Sequence, residues 1–130
     1  MRTLTASNVI AALLCACSAN HVQPMSRSPG ERLCISENPR VRPEFLQEYR
    51  DALRARGIES EVLAPTAGIA ACPLTSRYLA AWTHGTLTSA HLDVFRDGQP
   101  AGRAVYQNRW SLSGYSRGLL NEMVDQIFAK

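Results

Sequence analysis

The chain has 130 residues, of which 45% are apolar and 19% charged; this is room for one globular domain and excludes a largely disordered protein. Its net charge of +3 comes from 14 basic and 11 acidic residues. These are interleaved without long like-charge runs, so the chain lacks the electrostatic footprint of a nucleic-acid binder.

Val9 to Ala16 is a short apolar run behind a single early charge, Arg2. About eight residues cannot span a bilayer, which needs roughly 20, but they fit the core of a secretory signal peptide. Leu14-Cys15-Ala16-Cys17 closes the run and resembles the lipobox of bacterial lipoproteins. That resemblance implies a signal peptide over residues 1–16, loss of Cys15 with it, and diacylglycerol attachment and further acylation at Cys17; the alternative is a plain signal peptide cut after Ala16 or Ala19, with Cys17 incidental. Ser18 follows the cysteine, where enteric-type lipoproteins retained in the inner membrane tend to carry Asp; the implied location is the outer membrane, facing the periplasm. Ser18 to Gly30 is polar, holds two prolines and has no periodicity. Residues 17–30 are therefore expected to form a lipid-anchored tether of about 20 Å, with His21 in solvent.

A single domain is expected over residues 31–130. In "RLCIS", Leu33 and Ile35 alternate with Cys34, the pattern of a strand. Pro43 suits the first position of a helix, where its missing N–H is no loss, and Glu44 favours the positive end of the helix dipole. Phe45, Leu46, Tyr49, Ala52 and Leu53 form one apolar stripe, and Gly57 marks the stop. Ile58–Leu63 and Arg77–Thr83 alternate as strands, separated by the Pro- and Gly-punctuated "APTAGIAACP". Residues 90–96 and 101–107 flank Asp97-Gly98, the dipeptide of a tight hairpin turn. Leu119, Leu120, Met123, Val124, Ile127 and Phe128 predict an amphipathic helix over residues 115–129, started by Ser113 or Ser116. The order β-α-β-β-β-β-α predicts an α+β two-layer sandwich, a mainly antiparallel sheet with two helices on one face and the other face open.

Two cysteines remain in this domain. In an oxidising compartment, Cys34 and Cys72 are most simply a disulfide, closing a loop of about 39 residues worth ~4 kcal/mol by the chain-entropy relation. The competing reading is a cysteine nucleophile paired with His84 or His91; neither cysteine has the spacing of a metal ligand pair. His91 and Asp93 fall on one side of a strand and, with His84, are candidates for metal or hydrolytic chemistry, the alternative being a solvated strand face. Ser113 in "SLSGYS" only loosely matches a nucleophile elbow, since no Gly stands two residues before it. Tyr78, Trp82, Tyr106 and Trp110 are candidates for an aromatic binding surface or, alternatively, for core packing. No catalytic set, metal site or cofactor motif is assigned.

Lipobox and tether, "LCISENP", "CPLT", "YLAAW" and "LDVFRDGQPAGRAVY" together resemble a family of small proteobacterial outer-membrane lipoproteins to which no function is assigned. The likeness runs over most of Leu33 to Phe128, through Cys34, Cys72-Pro73, Tyr78, Ala80, Trp82, Gly98, Gly102, Ala104 and Tyr106. It departs at Thr83-His84-Gly85 and at Gln107, where the family carries acidic residues. More distantly the layout is similar to auxiliary lipoproteins of envelope ABC transporters. The expected function is a non-catalytic adaptor, held to the membrane by its lipid and binding another envelope protein through a sheet edge or the open face. The alternative is a small-ligand, metal-binding or hydrolytic protein using His84, His91 and Asp93.

Overall fold

The computed structural model describes residues 22–107 and 118–128. Its elements are β1 (Val22–Gln23), β2 (Leu33–Ser36), α1 (Pro43–Ala55), β3 (Ser60–Leu63), β4 (Leu74–Thr83), β5 (Thr86–Arg96), β6 (Gln99–Gln107) and α2 (Leu119–Ile127). The expected α+β two-layer sandwich is found, with one strand more than the sequence announced. The strand order is β1-β6-β5-β4-β2-β3. The β1–β6, β6–β5 and β5–β4 pairings are antiparallel, and β2 pairs in parallel with both β4 and β3. The parallel pair β2–β3 needs a crossover, and α1 supplies it.

Local chemistry fixes α1 at both ends. Pro43 begins it and Glu44 lies in its first turn. At its end Gly57 takes φ +77°; its N–H donates to the Arg54 carbonyl while the Ile58 N–H donates to that of Leu53. That is a Schellman motif, and it explains why β3 starts at Ser60 and not at the expected Ile58: Ile58, 2% exposed, closes the helix cap over Leu53. Phe45, Tyr49, Ala52 and Leu53 from α1, with Leu120, Met123, Val124 and Ile127 from α2, cover one side of the sheet. They meet Leu33, Ile35, Leu74, Tyr78, Leu87, Ala90, Leu92, Val94 and Ala104 in one core.

Two turns run through positive φ at both central residues, as two-residue hairpins of right-twisted strands require. Asp97-Gly98 (φ 51° and 82°) is the predicted one; His84-Gly85 (φ 53° and 81°) joins β4 to β5. β5 therefore begins four residues before the expected Ala90. The register shifts between Ala81 and Trp82, leaving Thr88 as the extra residue of a bulge. This lets Leu87 and Ala90, three apart, both reach the core. The expected start of α2 at Tyr115, with its caps Ser113 and Ser116, lies outside the described residues.

Residues 22–30, expected as free tether, lie along the domain. Val22 and Gln23 pair with Ala104 and Arg103, the Met25 N–H donates to the Ile127 carbonyl, and the Met25 side chain packs on the core. Arg96 clamps this strap, donating to both Glu31 carboxylate oxygens (2.8 and 3.2 Å) and to the Ser26 carbonyl (3.1 Å). The Ser28 N–H donates to the same carboxylate at 3.1 Å. Hydrogen bonds from Arg96, and to a lesser degree from the Ser28 backbone, hold the Glu31 carboxyl below its ordinary value of 4.5 despite an opposing contribution from burial. A lowered folded-state value means that the clamp contributes above the ordinary carboxyl value and is lost as pH falls through the depressed one. The NMR resonance of the Met25 methyl group is therefore expected to shift in one acid transition below about pH 4.5, absent in Glu31→Gln. A resonance that moves identically with pH in the wild type and in Glu31→Gln would show that the strap does not depend on this pair.

Candidate functional site

The helices cover one face of the sheet; strand alternation decides what stands on the other. On β4 that face carries Thr75, Arg77, Leu79 and Ala81. The ladder sets Arg77 beside Asp93 and Asp93 beside Arg103, then Leu79 beside His91 and His91 beside Val105, then Ala81 beside Ser89 and Ser89 beside Gln107. The result is three cross-strand rows: a charged row, an apolar row with one histidine at its centre, and a small polar row. In the charged row, Arg103 Nε lies 3.2 Å from Asp93 Oδ1, an ion pair with both side chains partly exposed. An exposed pair of this kind adds little stability. In the apolar row Leu79 is 57% exposed.

One end of this face is closed. Residues 64–73 cross it, held by the disulfide between Cys34 and Cys72, whose Cα atoms lie 6.2 Å apart. Thr75, on the open face and fully buried, accepts from the Cys72 N–H (3.2 Å) and donates to the Cys72 carbonyl (3.0 Å). Ser36 Oγ donates to the Ala67 carbonyl at 3.2 Å. This loop is why all four residues of β2 are buried: helices lie on one side and the loop on the other. Where loop and open face meet, a cleft of ≈ 430 Å³ is lined by Ser36, Asn38, Pro65, Arg77, Leu79 and Phe95, among others.

The expected site residues divide differently from the sequence reading. Cys34 and Cys72 are joined as expected, while Cys17 and Trp110 lie outside the described residues. Tyr78, Trp82 and Tyr106 do not form a platform on the open face; all three face the helices. Tyr78 is 4% exposed and stacks on Phe45 at 5.8 Å, with Tyr49 edge-on at 6.4 Å. Its hydroxyl accepts from the Asn38 N–H at 2.9 Å. Trp82 meets Phe45 edge-on at 6.2 Å and takes the Arg42 guanidinium over its ring at 4.6 Å. Tyr49 shares a 2.7 Å hydrogen bond with Ser76 Oγ, and burial pushes the phenols of both Tyr49 and Tyr78 upward, so neither is suited to proton transfer near neutral pH.

His91 and Asp93 do share a face, as expected, but Asp93 is turned to Arg103 and His84 sits in the hairpin turn. At about 3.3 Å per residue, the five steps from Thr86 to His91 alone put ~17 Å of strand between turn and His91. Among the described residues, no three His, Cys, Asp or Glu side chains cluster as metal ligands. The residues that do stand together, Arg77, Leu79 and Arg103, went unremarked in the sequence. The signal was present in "RYLAAWT", where Arg77, Leu79 and Ala81 alternate with Tyr78, Ala80 and Trp82. Both faces of that strand carry large apolar groups, so alternation alone did not say which was covered.

Two solved structures share this fold. A PelC dodecamer from Paraburkholderia phytofirmans matches with a TM-score of 0.59 at 14% identity, over 85% of this chain and 99% of that one. A single-substitution variant of the same dodecamer matches with a TM-score of 0.53 at 13% identity, over 85% and 95% of the two chains. At such identities the likeness is one of fold. No family model matches the chain, and no curated protein matches it. Among the described residues no helix is long and apolar enough to cross a membrane.

Proposed function

We propose that this protein is a lipid-anchored, non-catalytic module of the cell envelope that works as an assembly of identical copies and presents a docking surface to other envelope components. The observation that carries self-association is the match of 85% of this chain, at a TM-score of 0.59, to a protein that is a dodecamer. The anchor rests on the Leu14-Cys15-Ala16-Cys17 motif. The docked strap adds a consequence: with Val22 paired to Ala104, four residues separate Cys17 from the domain. Extended, the five steps from Cys17 to Val22 reach at most ~18 Å, so the domain would sit close to the bilayer instead of swinging on a long tether. Close tethering of every copy to one surface also raises their effective concentration and favours assembly.

The test is native mass spectrometry of the full-length protein extracted in mild detergent, beside Cys17→Ala. The expected result is one discrete homo-oligomer whose subunits begin at Cys17 and carry acyl chains, with a Cys17→Ala form of unmodified mass. A wild-type protein that is monomeric at micromolar concentration would overturn the self-association, and an unacylated mature chain would overturn the anchor.

A further inference from the structure

We infer that the cleft where the loop over residues 64–73 meets the open sheet face binds a short apolar peptide with free ends, its carboxylate on Arg77 and its amine on Glu37. The inference goes beyond the reading above, since neither the anchor nor self-association enters it.

The chemistry of the walls selects this ligand. The cleft, of ≈ 430 Å³, has Pro39, Pro65, Leu79 and Phe95 as its apolar lining, and its volume lies within the range of small-molecule sites. Three ionisable side chains line it as well: Glu37, Arg77 and Asp93. Asp93 is already satisfied, 3.2 Å from Arg103. That ion pair leaves Arg77, beside Asp93 on the ladder, as a surplus cation; its guanidinium makes no hydrogen bond or ion pair among the described residues. The backbone N–H of Glu37 donates to the Leu63 carbonyl at 3.0 Å, but its carboxylate has no hydrogen-bond or ion-pair partner among the described residues. Glu37 and Arg77 are thus opposite charges on one cleft that do not pair with each other. A plain anion drawn to Arg77 would be repelled by Glu37, and a plain cation drawn to Glu37 would be repelled by Arg77. A molecule that carries both charges on an apolar body suits every wall.

Neutral groups fit the peptide bond between those ends. Asn38 Nδ2 donates one proton to the Tyr78 carbonyl at 3.1 Å and keeps a second for a peptide carbonyl. Ser36 Oγ donates its proton to the Ala67 carbonyl at 3.2 Å and keeps lone pairs for a peptide N–H. Asn38 is held in place beforehand: its N–H donates to the Tyr78 hydroxyl at 2.9 Å, and its Oδ1 accepts from the Arg40 N–H at 3.0 Å. The disulfide between Cys34 and Cys72 ties down the loop that carries Pro65. A cleft built in advance has little left to order when it is filled.

Calorimetric titration of the full-length protein in mild detergent tests this, with the dipeptide leucyl-phenylalanine, its N-acetylated and C-amidated forms, and O-phosphoethanolamine. The free dipeptide should bind, and each blocked form about 10-fold more weakly, because each has lost one charge-assisted contact. Arg77→Gln should weaken the free dipeptide by a similar factor and leave the amidated form unchanged. Glu37→Gln should weaken the free dipeptide likewise and leave the N-acetylated form unchanged. Both positions are exposed, so the melting temperatures should match the wild type. Absence of binding by the free dipeptide at millimolar concentration overturns the inference. Blocked forms that bind as tightly as the free one overturn it on the wild-type protein alone, without any substitution. If O-phosphoethanolamine binds and the dipeptide does not, the cleft takes a lipid headgroup and the peptide assignment is wrong.

Discussion

Replacing both bridging cysteines, Cys34→Ala with Cys72→Ala, is expected to lower the unfolding free energy by about 2–5 kcal/mol. The two half-cystines are 38 residues apart in sequence, so the bond removes a large loop-closure entropy from the unfolded chain. A second effect acts on the folded side. The bridge is the covalent tie between β2 and the loop over residues 64–73, and without it Thr75, fully buried beneath that loop, depends on hydrogen bonds to Cys72 and on packing alone. For a small domain whose total stability is on the order of 5–15 kcal/mol, this is a large share. Urea unfolding of the double variant checks it, read as a lower midpoint with a similar slope. A midpoint within about 0.5 kcal/mol of wild type would mean that the loop is fixed without the bond. Reducing agent added to the wild type should reproduce the variant, and its failure to do so would separate loss of the bond from loss of the cysteine side chains.

Where side-chain chemistry and local conformation agree, the fold was readable. Pro43, the Phe45–Tyr49–Leu53 stripe and Gly57 delimited α1, Asp97-Gly98 placed the last hairpin, and the parity of the two cysteines in the domain paired Cys34 with Cys72. What escaped has physical reasons. β1 is two residues long and owes its existence to β6 beside it, so no periodicity announces it. The bulge at Thr88 breaks alternation at the start of β5, and His84, at φ 53° where Asn, Asp or Gly is usual, hid the turn before that strand. The candidate site suffered most from one ambiguity. β4 is apolar on both sides, and aromatic size pointed to Tyr78 and Trp82 as a surface. In fact they fill the deep space under α1, where Phe45 and Tyr49 receive them. The smaller Leu79 and Ala81 were left outside. Only the position of the helices decides such a case, and that is a long-range property.

Gly102→Val is expected to destabilise the domain by about 1–3 kcal/mol, through overpacking at the one point where strap, sheet and α2 converge. A Cβ on Gly102 would stand 2.8 Å from Ile127 Cγ2 and 2.9 Å from Met25 Cγ and Sδ. Ile127 is fully buried and cannot retreat, whereas the flexible Met25 side chain can. Relief should therefore come from the strap: Met25 is expected to leave its place over β6, and the hydrogen bond from its N–H to the Ile127 carbonyl with it. Denaturant melts and amide exchange at Met25 check the two halves of this prediction, with a fall in melting temperature of about 4–8 °C per kcal/mol for a domain of this size. Met25→Ala introduced beside Gly102→Ala should recover part of the loss, since it removes two of the three close contacts and leaves the one to Ile127. A Gly102→Val protein as stable as the wild type, with its Met25 amide still protected, would mean that α2 moves aside freely and that the strap is not what Gly102 makes room for. In the proposed anchored state the same substitution reaches further. A strap lifted from β6 lengthens the free chain beyond four residues, so the domain would stand farther from the bilayer and the oligomer should already dissociate at a higher protein concentration than the wild type does, measured on membranes of the same lipid composition.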